Sequence, residues 1–256
     1  MPLLVFTDLD GTLLSHEDYR CDAAFPALER LKTIGAGVVM ASSKTAPEIS
    51  VLRDELGLQQ WPAIVENGAG LLEPHEAGVK DGSIYARLRA ELLKISASLR
   101  EQFCGFGDMD VEEVAEITGL SRTAAGLAKE RAFSEPGIWS GTQRDKAAFL
   151  AALSAQGISA REGGRFLTLS FGGTKADQIA QITNELAPRH TIALGDAPND
   201  VEMLQAVDFG VIIANPHRAP LPALKGEASG KIMRSAQTGP EGWNAAILAH
   251  LTRLNL

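Results

Sequence analysis

Leu3-Leu4-Val5-Phe6-Thr7-Asp8-Leu9-Asp10-Gly11-Thr12 is an unbroken apolar run of strand length that ends in two carboxylates and a glycine. A run this short and continuous reads as a strand buried on both faces, the habit of parallel sheets covered by helices. Asp8 and Asp10 then leave the carboxyl end of that strand, where open α/β sheets collect their ligands. Residues i and i+2 of an extended chain point to the same side, so the two acids form a pair, and Gly11 permits a tight turn after them. Similar runs recur at 36–41, 63–65, 191–194 and 209–213. Between them lie helical patterns: 23–34 spaces Phe25, Leu28, Leu31 and Ile34 ahead of Gly35, and 47–56 spaces Ile49, Val51, Leu52 and Leu56 ahead of Gly57. Alternating strand and helix predicts an α/β fold, a doubly wound, Rossmann-like parallel sheet.

The middle of the chain has a different rhythm. Helical stretches at 84–103, 111–117, 123–133 and 144–155 are separated by glycines such as Gly105, Gly107 and Gly119, with strands expected at 137–140 and 165–171. Loose Gly- and Pro-containing segments flank this block at 73–82 and 172–173. The expected organisation is a discontinuous core, 1–82 and 172–256, closed by a last helix over 245–254, with an inserted α/β cap domain at 83–171. A chain of 256 residues is long enough for two unequal domains with real cores. Hydrophobic residues at 45%, charged residues at 22% and a mean hydropathy near zero exclude disordered and fibrous classes. The net charge of −8 argues against a nucleic-acid or anionic-membrane partner and leaves small-molecule chemistry, in a monomer or small homo-oligomer. Cys21 and Cys104 lie far apart with no CxxC, which argues against a zinc finger or disulfide framework and for a reducing compartment. The N-terminal apolar run reaches Asp8 too early for a signal peptide, and no 18-residue apolar run follows, so a cytoplasmic location is expected.

Three further segments carry groups suited to phosphate or metal. Ser42-Ser43-Lys44-Thr45 ends the second strand just before Pro47 opens a helix; hydroxyls and free N–H groups at such a junction bind phosphate oxygens, or simply cap the helix. Gly195-Asp196-Ala197-Pro198-Asn199-Asp200 again sets oxygen-bearing side chains at a strand's carboxyl end, a hard donor set that suits Mg²⁺, although Asn199 or Asp200 can equally serve as a helix cap. Lys175 follows Gly172-Gly173-Thr174 at the start of a helix over 176–186, where an ammonium would neutralise a phosphoryl group if it is not merely solvated.

In this order, Asp8/Asp10, Ser42, Lys175 and Gly195 to Asp200 resemble the four motifs of the haloacid dehalogenase superfamily of phosphatases. The cap position and Glu66-Asn67-Gly68-Ala69 resemble its sugar-phosphatase branch. Ser42-Ser43-Lys44-Thr45, Arg131-Ala132-Phe133-Ser134-Glu135-Pro136, Gly163-Gly164-Arg165-Phe166 and Gly239-Pro240-Glu241-Gly242-Trp243-Asn244 are similar to the mannosyl-3-phosphoglycerate phosphatase family. Many relatives in the wider branch have Thr-Gly-Arg where this chain has Ser42-Ser43-Lys44, which favours the narrower family. The resemblance implies Asp8 as nucleophile, Asp10 as acid and base, and Ser42 and Lys175 as phosphate ligands. It implies Mg²⁺ on Asp8, Asp196 and the Asp10 carbonyl, with Asn199 and Asp200 orienting the site. Arg165, Lys44 and Asn67 would meet the organic part of the substrate, Arg165 by gripping a glycerate carboxylate with its planar fork. The expected substrate is a phosphorylated glycosylglycerate; a general sugar-phosphate phosphatase and a phosphosugar mutase are the alternatives on the same core.

Overall fold

A computed structural model describes residues 1–163 and 165–256. The chain packs into two compact units, one made of Met1–Ser42, Gln60–Ile64 and Thr174–Leu256, the other of Ser43–Gln59 and Val65–Gly173.

Among the described residues the first unit is built on a five-stranded parallel sheet in the order Ile232–Thr238, Phe209–Ala214, Thr191–Gly195, Leu4–Thr7, Gly37–Met40. Val5 pairs with Val38 on one side and Ile192 on the other. All residues of these three strands are buried, as continuous apolar runs require when helices cover both faces. Helices Phe25–Thr33, Lys175–Leu186, Val201–Ala206 and Gly239–Leu254 belong to this unit. The last of them begins earlier than residue 245, because Pro240 sits in its first turn, where no N–H is needed, and Trp243 is fully buried. The chain leaves Leu4–Thr7 for one neighbouring strand and returns much later on its other side. The carboxyl ends of Leu4–Thr7 and Thr191–Gly195 therefore flank the switch point of the sheet. Ile232–Thr238 escapes the strand pattern because it is an edge strand with mostly exposed residues.

The second unit contains, among its described residues, a four-stranded antiparallel sheet in the order Phe103–Gly105, Ser134–Trp139, Phe166–Ser170, Ser159–Gly163. Leu88, Leu92, Phe103, Phe149, Leu153 and Leu169 form its larger core. Two expected helices are cut short. Instead of one helix over 84–103, Ser83–Leu92 and the single turn Ala97–Arg100 are separated at Ser96, whose backbone is extended, and Phe103 pairs with Trp139 in the sheet. The helix expected over 123–133 stops at Lys129. The N–H groups of Ala132, Phe133 and Ser134 donate to the buried carboxylate of Glu66 (2.8, 3.2 and 2.7 Å) rather than to helix carbonyls. Ser159–Gly163, polar and largely exposed, carries no apolar alternation to betray it. Among the described residues no helix is long and apolar enough to cross a membrane.

Candidate active site

Asp8 prolongs the first strand, its N–H donating to Leu194 O (2.9 Å). Its carbonyl accepts the Thr7 hydroxyl (2.7 Å), which itself accepts the indole N–H of buried Trp243 (2.9 Å), so the main chain is fixed just where the carboxylate leaves it. Oδ1 of Asp8 accepts Nζ of Lys175 at 2.6 Å. Lys175 is the first residue of helix Lys175–Leu186 and stands there because Thr174 and Asp177 close a capping box around the helix start. The same ammonium donates to Oδ1 of Asp200 at 2.7 Å. The other oxygen of Asp200 accepts the backbone N–H groups of Asp196 (3.1 Å) and Ala197 (3.0 Å). This inward turn of Asp200 needs a glycine at 195, since a Cβ there would lie 2.5 Å from Cβ of Asp200. Asp196 is held at both oxygens, by the Thr12 hydroxyl on Oδ1 (3.0 Å) and by Nδ2 of Asn215 on Oδ2 (2.6 Å).

One carboxylate oxygen from each of Asp8, Asp196 and Asp200 falls within 4.8 Å of the others, and all three residues are buried. Burial first, and then the charge of Asp200, push the Asp8 carboxyl well above the carboxylate range, against the pull of Lys175. Burial also raises Asp196, opposed by the hydrogen bonds from Asn215 and Thr12. Burial by itself would lower Lys175, but Asp200 and Asp8 outweigh it, so the ammonium is retained. If all three carboxyls ionise against the one ammonium, two negative charges remain, which one divalent cation would balance. All-oxygen donors of this kind fit Mg²⁺.

Of the remaining expected site residues in this unit, Ser42 is buried after strand Gly37–Met40, with its N–H on Ile64 O (3.0 Å). Asp10 is half-buried at the turn where Gly11 N–H donates to Leu14 O (2.8 Å). Asn199 is exposed in the turn Pro198–Asp200. The second unit holds the other three. Lys44 is half-buried, and its carbonyl accepts Glu66 N–H (3.0 Å). Asn67 is in the left-handed region at φ 59°. Arg165 is exposed, donating through Nη2 to Thr118 O (3.2 Å), with its guanidinium over the Phe166 ring; Gly164 beside it lies outside the described residues. Thr7 and Asn215 carry no role in the sequence analysis, and Thr12 enters it only as the end of the Asp8-Leu9-Asp10-Gly11-Thr12 stretch. Asn215 was nonetheless findable, since it follows strand Phe209–Ala214 and so stands at a strand's carboxyl end like Asp8 and Asp196.

Residues 5–115 and 152–225 match the family model of haloacid dehalogenase-like hydrolases. A "Glucosyl-3-phosphoglycerate/mannosyl-3-phosphoglycerate phosphatase" from Persephonella marina is 34% identical over 269 residues, covering 96% of this chain and 96% of the relative. Among solved structures, a haloalkanoate-superfamily phosphatase from Bacteroides thetaiotaomicron superimposes with a TM-score of 0.69 at 18% identity, covering 100% of this chain and 96% of that one. The sucrose-phosphatase of a Synechocystis species, solved with sucrose and phosphate, does so with a TM-score of 0.63 at 15% identity, covering 100% and 99%. At these identities the two structures bear on the fold.

Proposed function

The chain belongs to the haloacid dehalogenase-like hydrolases and is a phosphoric monoester hydrolase, and from that premise we propose that it cleaves a glycosyl-3-phosphoglycerate, the mannosyl compound first, to the glycosylglycerate and phosphate. The observation that carries this substrate class is the end-to-end similarity to the Persephonella marina relative. Asp8, set at the switch point of the sheet with a fixed main chain, is the nucleophile; its carboxylate attacks phosphorus and gives an aspartyl-phosphate that water hydrolyses. Asp10 protonates the departing alkoxide oxygen and then takes a proton from the water, which requires the two acids to differ in protonation state. Lys175, permanently charged and already on Asp8, holds a non-bridging phosphate oxygen together with the Ser42 hydroxyl. In this reading Asp200 orients the lysine, with one oxygen on Nζ and the other on the backbone N–H groups of Asp196 and Ala197.

Asp8, Asp196 and the Asp10 carbonyl would bind Mg²⁺, which when present offsets the repulsion between carboxylate and phosphate. Residues 1–82 and 172–256 form the catalytic part in this reading. Residues 83–171 form the selective part, with Arg165 on the glycerate carboxylate; Lys44 and Asn67, from the 1–82 segment, are further substrate contacts. The packing units differ from this division in placing 43–59, 65–82 and 172–173 with the second unit.

Phosphate release from a panel of mannosyl- and glucosyl-3-phosphoglycerate and simple sugar phosphates tests the proposal. A kcat/KM that favours the glycosylglycerates supports it. Equal rates on hexose phosphates would leave a general sugar phosphatase, and an isomerised sugar phosphate in place of free phosphate would leave a mutase.

A further inference from the structure

We infer that His16, which lies outside the proposed catalytic set, positions the Asp196 carboxylate for its cation by gripping Asn215 from behind. The inference rests on the proposed role of Asp196. Nδ2 of Asn215 lies 2.6 Å from Oδ2 of Asp196 and 2.9 Å from Nε2 of His16, so each of the two amide protons has its own acceptor. The amide cannot be turned end for end. Its oxygen accepts the backbone N–H of His217 (2.8 Å), and a carboxylate facing an amide needs a donor. Nε2 of His16 must therefore be an acceptor in this arrangement. His16 itself is 3.9 Å from Oδ2 of Asp196, beyond hydrogen-bond reach, so it acts on Asp196 through Asn215.

Two observations argue that the ring is placed for this contact and not as core filling. Its side chain is 29% exposed and lines a cavity of about 490 Å³ together with His217, Gly239 and Glu241. In addition the turn after Asp10 leaves space for it: a Cβ on Gly11 would sit 2.3 Å from Nε2 of His16. Gly11 thus answers two demands at once, a positive φ of 83° and room for the imidazole. The His16 and His217 rings meet in a T-shaped contact, with centroids 5.2 Å apart. Groups behind a ligating carboxylate fix its orientation and commonly change metal affinity about ten- to a hundredfold when removed.

The test is Mg²⁺ binding to the whole chain by titration calorimetry, with thermal melts of each variant in chelator as a check of folding. His16→Phe keeps the ring volume and loses the acceptor, whereas His16→Gln supplies an acceptor oxygen. His16→Phe should weaken Mg²⁺ about tenfold and Asn215→Ala by up to about a hundredfold, while His16→Gln should stay within about threefold of the wild type. Asp196→Asn is the reference. If it loses Mg²⁺ while His16→Phe binds as tightly as the wild type, or if Phe and Gln weaken binding equally, the positioning role of His16 is wrong. If Asp196→Asn itself binds Mg²⁺ unchanged, the proposed metal site is wrong and this inference goes with it.

Discussion

Asp200→Asn removes one charge with almost no change in volume, at a side chain with no solvent exposure. In the native site one oxygen faces the Lys175 ammonium (2.7 Å) and the other faces two backbone N–H groups (3.1 and 3.0 Å), so both ends of the carboxylate meet only donors. An amide cannot satisfy both ends. With its oxygen toward Asp196 and Ala197 the new NH₂ points at an ammonium; with its oxygen toward Lys175 the NH₂ points at two N–H groups. Breaking a buried ion pair by changing one partner costs about 3–5 kcal/mol, which includes the donors left unmatched. For a chain of this length about 2–4 °C of melting temperature accompanies each kcal/mol, so a loss on the order of 10 °C is expected. The melt should be run in chelator, so that cation binding to the native state does not enter. A cycle with Lys175→Met adds a second reading: the two substitutions should be non-additive by at least about 1 kcal/mol, because each removes the same pair. An Asp200→Asn protein that melts within about 3 °C of the wild type, with additive effects in the cycle, would refute the reasoning that Asp200 exists to hold Lys175.

Asp8→Asn should abolish turnover in a chain that still folds, since the amide keeps the shape and is a poor nucleophile; residual phosphate release above a few per cent would remove Asp8 from that role. The folded-state carboxyls of Asp8 and Asp196 are raised, so their ionisation costs stability as pH climbs from about 4, and a cation bound by the ionised forms should recover it. Mg²⁺ should therefore raise the melting temperature more at pH 8 than at pH 5, and an equal shift at both would contradict a site made of these acids. Asp108 is pushed upward by burial, but hydrogen bonds from Arg89, the Gly105 N–H and Arg100 prevail and hold it at about 2. Such a depressed group stabilises the fold above about pH 4 and ceases to do so as pH falls toward 2. Asp108→Asn should therefore cost about 1–2 kcal/mol at neutral pH, discounted for a side chain one-quarter exposed, and much less at pH 2 by denaturant titration. Arg165→Ala should lower kcat/KM for a carboxylate-bearing substrate by roughly thirty- to a hundredfold, with Arg165→Lys intermediate and a simple phosphate ester little affected. Equal losses on both substrates would place Arg165 in the architecture instead.

Buried parallel strands are legible wherever the chain is apolar without interruption, because a strand covered on both faces has no polar side to show; hence the correct reading of 3–7, 36–41, 191–194 and 209–213. Helix starts were equally local, as the Thr45 and Thr174 capping boxes illustrate. The pairing of acids with strand ends follows from these local facts, so Asp8 and Asp196 stand out in the sequence itself. What the amino-acid order could not display was competition from distant partners. The helix over 122–129 is not continued because the Glu66 carboxylate, far back in the chain, takes the N–H groups of Ala132, Phe133 and Ser134, and Phe103 becomes a strand residue because Trp139 lies beside it. Ser159–Gly163 and Ile232–Thr238 are edge strands whose exposed residues follow solvent and not core. The electrostatic centre is of the same kind. Lys175 meets Asp8 across 167 positions and Asp200 across 25, and no local pattern encodes that a single ammonium lies between them. Strand and helix start are chosen within a few residues, by burial and by capping; which charges share a buried space is decided only when the sheet brings its strand ends together.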